Sequence, residues 1–116
     1  VLILFDIDFF KKVNDTYGHL VGDNILKSIS ELVKNHTRDS DIFARWGGEE
    51  FTLAFDVGIE KGMEIAESLR KHIEVKDFNG VDTLTCSFGV TEFQQNDTIT
   101  TILSRADKAL YEAKET

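Results

Sequence analysis

Two pairs of acidic residues, far apart in the chain, could do chemistry if the fold brings them together. Asp6 and Asp8 follow the apolar run of residues 1–5. Glu49 and Glu50 follow a pair of glycines. Carboxylates crowded into one place must take up protons or bind a cation. Because no paired His or Cys accompanies them, these hard oxygen ligands favour Mg²⁺ or Mn²⁺ over zinc, and indicate a phosphoryl- or nucleotidyl-transfer site.

Each acidic pair also has a plain structural reading. Taken alone, Asp6 and Asp8 fit a strand that ends in solvated acids. Glu49 and Glu50 fit the polar end of a hairpin. However, side chains two apart in a strand point the same way, and α/β proteins often place ligands at the ends of central strands. The metal hypothesis therefore requires the hairpin to lie beside the first strand.

The hydrophobic pattern predicts the elements that must position these acids. Residues 1–5 are an uninterrupted apolar run, typical of a central strand buried on both faces. A short helix is predicted around residues 9–16, followed by a longer one with its apolar face at residues 25–33. Two strand-like runs then flank Gly47 and Gly48, which predicts a β-hairpin with a two-residue turn.

The second half of the chain alternates between helix and strand patterns. Apolar positions in residues 59–73 mark a third long helix, and residues 84–90 alternate as a strand does. An apolar stripe over residues 99–113 predicts a last helix, with Asp97 as its N-cap. The predicted fold class is therefore α+β, with a central mixed β-sheet covered by helices.

A polar stretch, residues 9–24, has side chains suited to a nucleotide. Lys11 or Lys12 could neutralise phosphate. Asn14 and Asp23 could read a guanine, because a carboxylate accepts from its N1–H and N2–H₂ edge and an amide can meet O6 or N3. The alternative is that this stretch only caps and joins helices, and the residues alone do not decide.

A second polar stretch, residues 37–41, lies just before the hairpin. Arg38 and Asp41 could form a surface ion pair, which contributes little to stability. They could instead grip a guanine and a phosphate, since arginine offers a planar fork of donors. Composition cannot choose between these two readings, and the surface pair is favoured until another observation is added.

Composition sets wider bounds. The chain has 116 residues, one domain's length, and a net charge of −8, which argues against a nucleic-acid-binding surface. Its single cysteine, Cys86, favours a reducing compartment. No apolar run approaches the roughly 20 residues that span a bilayer. Because the chain opens without methionine in an apolar run, we expect a segment of a longer protein, with any membrane anchor or sensor outside it.

Several motifs together resemble the GGDEF family of diguanylate cyclases. The stretches "FDIDFFKKVNDTYGHLVGD", "GGEEF" and "RADKALYEAK" occur in that family's order and spacing, from Leu4 to Lys114. The resemblance implies a GGDEF, nucleotide-cyclase-like palm over residues 1–116. It implies an enzyme that makes cyclic di-GMP from two GTP. The chain lacks the family's leading helix and stops before a further arginine, so truncation at both ends is expected.

The resemblance also implies roles for individual residues. Metal-binding positions match the side chains of Asp6, Glu49 and Glu50 and the carbonyl of Ile7, with Glu50 the less certain and Glu49 also the general base. Lys11, like Glu49, is expected to be a catalytic residue. The residues matching substrate-binding positions are Phe9, Phe10, Lys11, Asn14, His19, Asp23, Gly47, Gly48 and Lys114. Arg38 and Asp41 match an inhibitory R-x-x-D site, and Arg70 is a weaker candidate for it.

The implied reaction needs Mg²⁺ or Mn²⁺ and two domains facing each other, because each binds one GTP. A homodimer, driven by a fused sensory or receiver domain, would be the control point. Cyclic di-GMP would feed back on the enzyme, and a bacterial cytoplasmic location is expected. One alternative is a non-catalytic effector that binds cyclic di-GMP. Another is a cyclase making a mixed dinucleotide with adenine, which Asp23 disfavours because a small neutral residue would suit relaxed base choice.

Overall fold

The computed structural model describes residues 1–38, 41–46, 49–78, 80–81 and 83–115. These residues form four strands and four helices. In chain order they are β1 (Leu2–Ile7), α1 (Phe10–Tyr17), α2 (His19–Asn35), β2 (Ile42–Trp46), β3 (Glu50–Ala54), α3 (Ile59–Val75), β4 (Cys86–Thr91) and α4 (Ile99–Glu115). Every helix and strand predicted from the sequence is present, and α2 begins at His19, six residues before the apolar face at residues 25–33 that predicted it.

The sheet has the order β2-β3-β1-β4, which places β1 at its centre beside both β3 and β4. The α+β class is confirmed, but all described strand pairs are antiparallel, where a mixed sheet was predicted. The reason is that α3 connects β3 to β4 across β1. These two strands run in the same direction but never pair, since the antiparallel β1 lies between them.

The two faces of β1 pack against different helices. Ile3, Phe5 and Ile7 belong to the large core that α2 and α3 cover. Leu2 and Leu4 belong to a smaller cluster with three residues of α4, namely Ile102, Ala106 and Leu110. All six β1 residues are buried, as predicted. Because side chains alternate along a strand, Asp6 lies on the same face as Leu2 and Leu4, under α4.

Helix α4 lies directly against β4 at Gly89. A β-carbon on that glycine would lie 2.6 Å from the carbonyl oxygen of Ala106 and 2.9 Å from the Cα of Leu110. Only a residue without a side chain allows this approach. The close packing fixes the position of α4 over the sheet, and with it the side chains of the last turns of that helix.

The predicted N-cap of α4 was wrong by one residue. The carbonyl of Thr98 accepts the first helical bond, from Ile102 N–H at 3.1 Å, and the Thr98 hydroxyl accepts from Thr101 N–H at 3.2 Å. Instead, the Asp97 carboxylate accepts hydrogen bonds from both terminal nitrogens of Arg105, each at 2.7 Å. The bonds from Arg105 hold the pKa of Asp97 well below its usual range. Sequence pattern alone does not separate Asp97 from Thr98, since both types cap helices.

Candidate active site

The predicted hairpin does lie beside the first strand. Asp6 on β1 is directly opposite Glu50 on β3 and opposite Ser87 on β4. Asp6 is only 8% exposed, which is unusual for a carboxylate. The acidic pairs that are more than forty residues apart in sequence are therefore brought to one end of the sheet, as the metal hypothesis required.

A cation reaches the buried carboxylate from the last turn of α4. The Nζ of Lys114 lies 2.8 Å from Oδ1 of Asp6. Burial raises the pKa of Asp6 despite the opposing ion pair, and the nearby Asp8 adds to the rise. Burial alone would lower the pKa of Lys114, but its contact with Asp6 and the charges of Asp8 and Glu49 outweigh this and raise it. Lys114 is thus a charged partner in a strongly negative environment.

Further acids surround this ion pair. Burial raises the pKa of Glu50, and the charges of Asp107, Asp6 and Glu49 raise it further, in that order. Sequence reasoning missed Asp107. A signal was available, because Asp107 precedes Lys114 by seven residues, which is two turns along one face of a helix. The charges of Asp6, Asp8 and Glu49 therefore act on Lys114, and the charge of Asp107 acts on Glu50.

Asp8 has a different role from Asp6. Its two carboxylate oxygens accept hydrogen bonds from hydroxyl groups of the neighbouring segment, from Thr85 at 2.8 Å and from Ser87 at 2.6 Å. The backbone N–H of Asp8 also donates to the carbonyl of Thr85 at 2.9 Å. Asp8 thus ties the end of β1 to the start of β4. This leaves Asp6 and the two glutamates as the carboxylates more available to a ligand.

The turn after β1 leads into the N-terminus of α1 through an unusual backbone conformation. Phe9 has the left-handed backbone conformation, with φ 57° and ψ 34°, and its side chain is 81% exposed. Such a conformation is rare for a residue other than glycine and often marks a functional position. Here it immediately precedes α1, whose first N–H groups lack helical partners and can bind an anion. Lys11 and Lys12 are exposed on this helix.

A cavity of about 320 Å³ lies next to the turn. It is lined by Asp8, Phe9, Ser87, Ala113 and Lys114. The lysine ammonium and the turn before α1 therefore share one cavity. Such an arrangement of a cation and backbone donors suits a phosphate.

The predicted guanine-reading residues flank the junction of α1 and α2. Asn14 is half-buried on α1, and Asp23 and His19 are exposed on α2. Gly18 joins the two helices with φ 91°, and its N–H donates to the carbonyl of Asn14 at 2.8 Å. The Asn14 side chain packs against Gly22 on α2, one residue before Asp23. The fold therefore brings the Asn14 amide to the part of α2 that carries Asp23.

The predicted inhibitory residues form a local pair. Both the backbone N–H of Arg38, at 2.8 Å, and its guanidinium, at 3.2 Å, donate to the Asp41 carboxylate. Burial alone would raise the pKa of Asp41, but these bonds outweigh burial and lower the pKa. Arg38 remains 68% exposed. Arg70 is held on α3 by Glu67 and Glu74, each at 2.7 Å, and its place in an inhibitory site stays a prediction.

Gly47 and Gly48 lie outside the described residues, so the predicted two-residue turn and their contact with substrate stay predictions. The strands on either side are present and paired, with Trp46 opposite Glu50. No described helix is long and apolar enough to cross a membrane. The thiol of Cys86 is buried, and burial raises its pKa.

The residues present fit a divalent cation by their chemistry. Among the described residues no three His, Cys, Asp or Glu side chains are grouped as a metal site. Yet Oδ1 of Asp6 is buried and, within the same residues, has no hydrogen-bond partner beyond its ion pair with Lys114. This buried oxygen belongs to a residue directly opposite Glu50 in the sheet, and carboxylate oxygens are the hard ligands that Mg²⁺ prefers.

The fold is thus an α+β domain in which an acidic centre with a buried ion pair lies beside the turn before α1. The family model of the diguanylate cyclase GGDEF domain matches residues 1–116. Diguanylate cyclase A of Treponema denticola is 40% identical over 119 residues, covering 98% of this chain and 32% of that protein. Diguanylate cyclase VdcA of Vibrio cholerae is 43% identical over 120 residues, covering 97% of this chain and 35% of that protein. The chain belongs to the GGDEF family of diguanylate cyclases and spans about a third of the length of these curated relatives.

Solved structures support the same conclusion. The active GGEEF domain of a diguanylate cyclase from Vibrio cholerae superposes with a TM-score of 0.91 at 32% identity, over 98% of this chain and 75% of that one. The GGDEF domain of DgcB from Caulobacter crescentus, in complex with cyclic di-GMP, superposes with a TM-score of 0.90 at 29% identity, over 98% of this chain and 71% of that one. The predicted family and fold class are confirmed.

Proposed function

We propose that this domain condenses two GTP molecules into cyclic di-GMP with release of two pyrophosphates, using Mg²⁺ or Mn²⁺. The observation that carries the proposal is the contact of Lys114 with the buried carboxylate of Asp6, opposite Glu50 and beside the turn at Phe9. In the proposed site, the carboxylate oxygens would bind the cation, and Lys114 and the turn beside them would bind phosphate. A nucleoside triphosphate bound with its metal needs both.

The phosphates would bind at the turn before α1. The left-handed conformation of Phe9 precedes the free N–H groups of Phe10 and Lys11, which would donate to phosphate oxygens. The Lys11 ammonium would add charge from the first turn of α1. Lys114 would hold a phosphate from the opposite side of the cavity, because its raised pKa keeps it protonated. These groups would orient the triphosphate, and the Lys11 charge would also stabilise the phosphates while the bond to pyrophosphate breaks.

The base would be read at the junction of α1 and α2. The Asp23 carboxylate would accept from N1–H and N2–H₂ of guanine, and the Asn14 amide would meet O6 or N3. His19 lies on the same exposed stretch of α2 and would contribute a further polar contact. Adenine presents no N1–H to Asp23, so these residues favour guanine. A mixed dinucleotide with adenine is correspondingly disfavoured.

Asp6, the carbonyl of Ile7, Glu49 and Glu50 would hold the metal. When bound, the metal would neutralise charge on the phosphates and favour ionisation of the ribose 3′-hydroxyl. The Glu49 carboxylate would accept the proton of that hydroxyl. The 3′-oxygen then forms a bond to the α-phosphorus of the second GTP, while the bond from that phosphorus to the bridging oxygen breaks and pyrophosphate leaves.

Two domains must meet for this reaction, because one site binds one GTP. We propose a homodimer, brought together by a sensory or receiver domain fused to this one, in the bacterial cytoplasm. Product inhibition would use Arg38 and Asp41, with Arg70 as a further candidate. The Arg38 guanidinium is exposed and turned to Asp41, so a guanine and a phosphate of cyclic di-GMP would compete with the present pair.

A second candidate is an effector that binds cyclic di-GMP without making it. The observation in its favour is the similarity to a GGDEF domain solved with cyclic di-GMP bound. Against it stand the acids around Lys114, which binding of the product at Arg38 would not need. Catalysis is therefore the better supported function.

The test is mass spectrometry of the products formed from GTP and Mg²⁺. The protein is fused to a dimeric coiled coil, and wild type is compared with Glu49→Gln and with the matched control Glu31→Gln, exposed on α2. Cyclic di-GMP from wild type and the control but not from Glu49→Gln is the expected result. No product from the dimerised wild type would favour the effector. Equal product from Glu49→Gln would overturn the role of Glu49.

A further inference from the structure

Gly22 on α2 is packed against a side chain that the proposed function uses. A β-carbon built on Gly22 would overlap Oδ1 of Asn14 and would lie 3.0 Å from its Cγ. It would also lie 3.3 Å from Cζ of Phe10. The amide of Asn14 therefore occupies the space that any side chain at position 22 would take.

This contact concerns the position of Asn14 rather than the backbone of α2. Gly22 lies inside a regular helix, and its φ is not among the positive values of the chain. Its N–H donates to the carbonyl of Gly18 at 3.2 Å in the ordinary helical pattern. Alanine is accepted by a helix backbone, and is favoured there over glycine. The obstacle to alanine is therefore the Asn14 amide.

The Asn14 amide is also free to bind a ligand. Within the described residues its side chain makes no hydrogen bond to another protein group, although the side chain is half-buried. Packing against Gly22, rather than a hydrogen bond, thus fixes where the amide points. A group held by packing alone can be displaced by one added methyl, since its rotamer can change at small cost to the fold.

We propose that Gly22 is a positioning residue for guanine recognition, because its missing side chain lets Asn14 reach the base beside Asp23. The inference rests on the proposed function, in which Asn14 reads guanine. A methyl group at position 22 would push the amide away from the base. At the proposed phosphate site the new methyl would approach only the far end of the Phe10 ring, at Cζ, and not the backbone N–H groups that would bind phosphate.

The experiment is a double-mutant cycle on ligand binding. Affinities for a non-hydrolysable GTP analogue and for tripolyphosphate, both with Mg²⁺, are measured by calorimetry for wild type, Gly22→Ala, Asn14→Ala and the double variant. We expect each single variant to bind the GTP analogue about tenfold more weakly, the effect of one lost hydrogen bond. The double variant should bind it no more weakly than Asn14→Ala alone. Tripolyphosphate should bind all four proteins equally, because it has no base.

A matched control separates positioning from general loss of structure. Gly62 is likewise buried in a helix, α3, and a β-carbon there would lie 2.7 Å from a methyl of Val1. Gly62→Ala should therefore lower the unfolding midpoint without changing the affinity for the GTP analogue. A melt of each variant establishes that it is folded at the temperature of the binding measurement.

The outcomes distinguish the two proposals. Normal binding of the GTP analogue by Asn14→Ala would overturn the guanine-reading role and the inference with it. Weak binding by Asn14→Ala together with normal binding by Gly22→Ala would overturn the inference alone. So would a double variant that binds more weakly than Asn14→Ala, or a loss of tripolyphosphate binding in Gly22→Ala, since either result would mean that Gly22 acts by another route.

Discussion

Lys114 and Asp6 join the last turn of α4 to the buried end of β1, with 2.8 Å between Nζ and Oδ1. The lysine is 39% exposed and the aspartate 11% exposed, counting side chains. The two charges are therefore only partly removed from water. The pair connects the fold to the proposed chemistry, because the same ammonium that balances Asp6 also faces the cavity beside Phe9.

Replacing Lys114 by methionine should reduce both stability and nucleotide binding. Asp6 would be left buried without its counter-charge, which is costly, but the exposure of Lys114 limits the loss to about 1–2 kcal/mol of unfolding free energy. Urea denaturation measures this loss. Lys108→Met is the matched control, because Lys108 is exposed on the same helix. Equal stability of wild type and Lys114→Met would show that the ion pair contributes nothing to the fold.

The bond between Asp97 and Arg105 should make stability depend on pH. Because the pKa of Asp97 is lowered in the folded protein, its contribution is present above the unfolded value, near 3.8, and is lost as pH falls through the lower folded value. Asp97→Asn should therefore be less stable than wild type at pH 7, and the difference should shrink below about pH 4. Urea denaturation across this range is the measurement. The matched control is Asp56→Asn, a substitution at an exposed position.

Replacing Arg38 by alanine should relieve product inhibition with little change in the initial rate. The Arg38 side chain is 68% exposed, and its backbone N–H would keep its bond to Asp41 in the variant, so the change should cost at most about 1 kcal/mol of stability. Initial rates of the dimerised protein, with and without added cyclic di-GMP, provide the measurement. Lys34→Ala, exposed at the end of α2, is the control. Inhibition of Arg38→Ala at the wild-type concentration of product would place the regulatory site elsewhere.

Most helices and strands could be predicted from the sequence because their buried apolar residues recur with the period of a helix or of a strand. Strand β1 is instead apolar on both faces, since different helices cover its two sides. The sequence motifs predicted that the acidic residues lie at the end of this strand. Other features depend on tertiary contacts that no local pattern carries. Asp8 is bonded to Thr85 and Ser87 only because β4 lies beside β1. Asp107 reaches Glu50 only because α4 crosses the sheet there.

The same limit applies to the sheet and to the caps. A strand, a helix and a strand in sequence suggest parallel neighbours, but β1 separates β3 from β4. Asp97 and Thr98 are both good N-cap types, and the choice between them follows from Arg105, which takes the Asp97 carboxylate. The residue types showed which hydrogen bonds Asp97 and Thr98 can form, but the position of Arg105 in the fold determined which bonds they do form.

Gly89→Ala should be strongly destabilising and should also weaken nucleotide binding. The new methyl would meet the backbone of α4, at the Ala106 carbonyl and the Leu110 Cα, and a backbone cannot change rotamer as Asn14 can. We expect a loss of about 2–3 kcal/mol, as for other overpacked sites. If the variant folds, α4 must move away from β4, and Lys114 with it. Binding of tripolyphosphate should then fall, in contrast to Gly22→Ala.

The matched control for this prediction is Gly58→Ala. A β-carbon on Gly58 would lie 3.4 Å from a carboxylate oxygen of Glu92, an ordinary contact, and its φ of −78° suits any residue. Denaturation midpoints and tripolyphosphate affinities of the two variants are compared with those of wild type. Wild-type values for Gly89→Ala would mean that α4 does not depend on this contact for its place over the sheet. A loss in Gly89→Ala but not in Gly58→Ala would establish that the close approach of α4 to β4 positions Lys114.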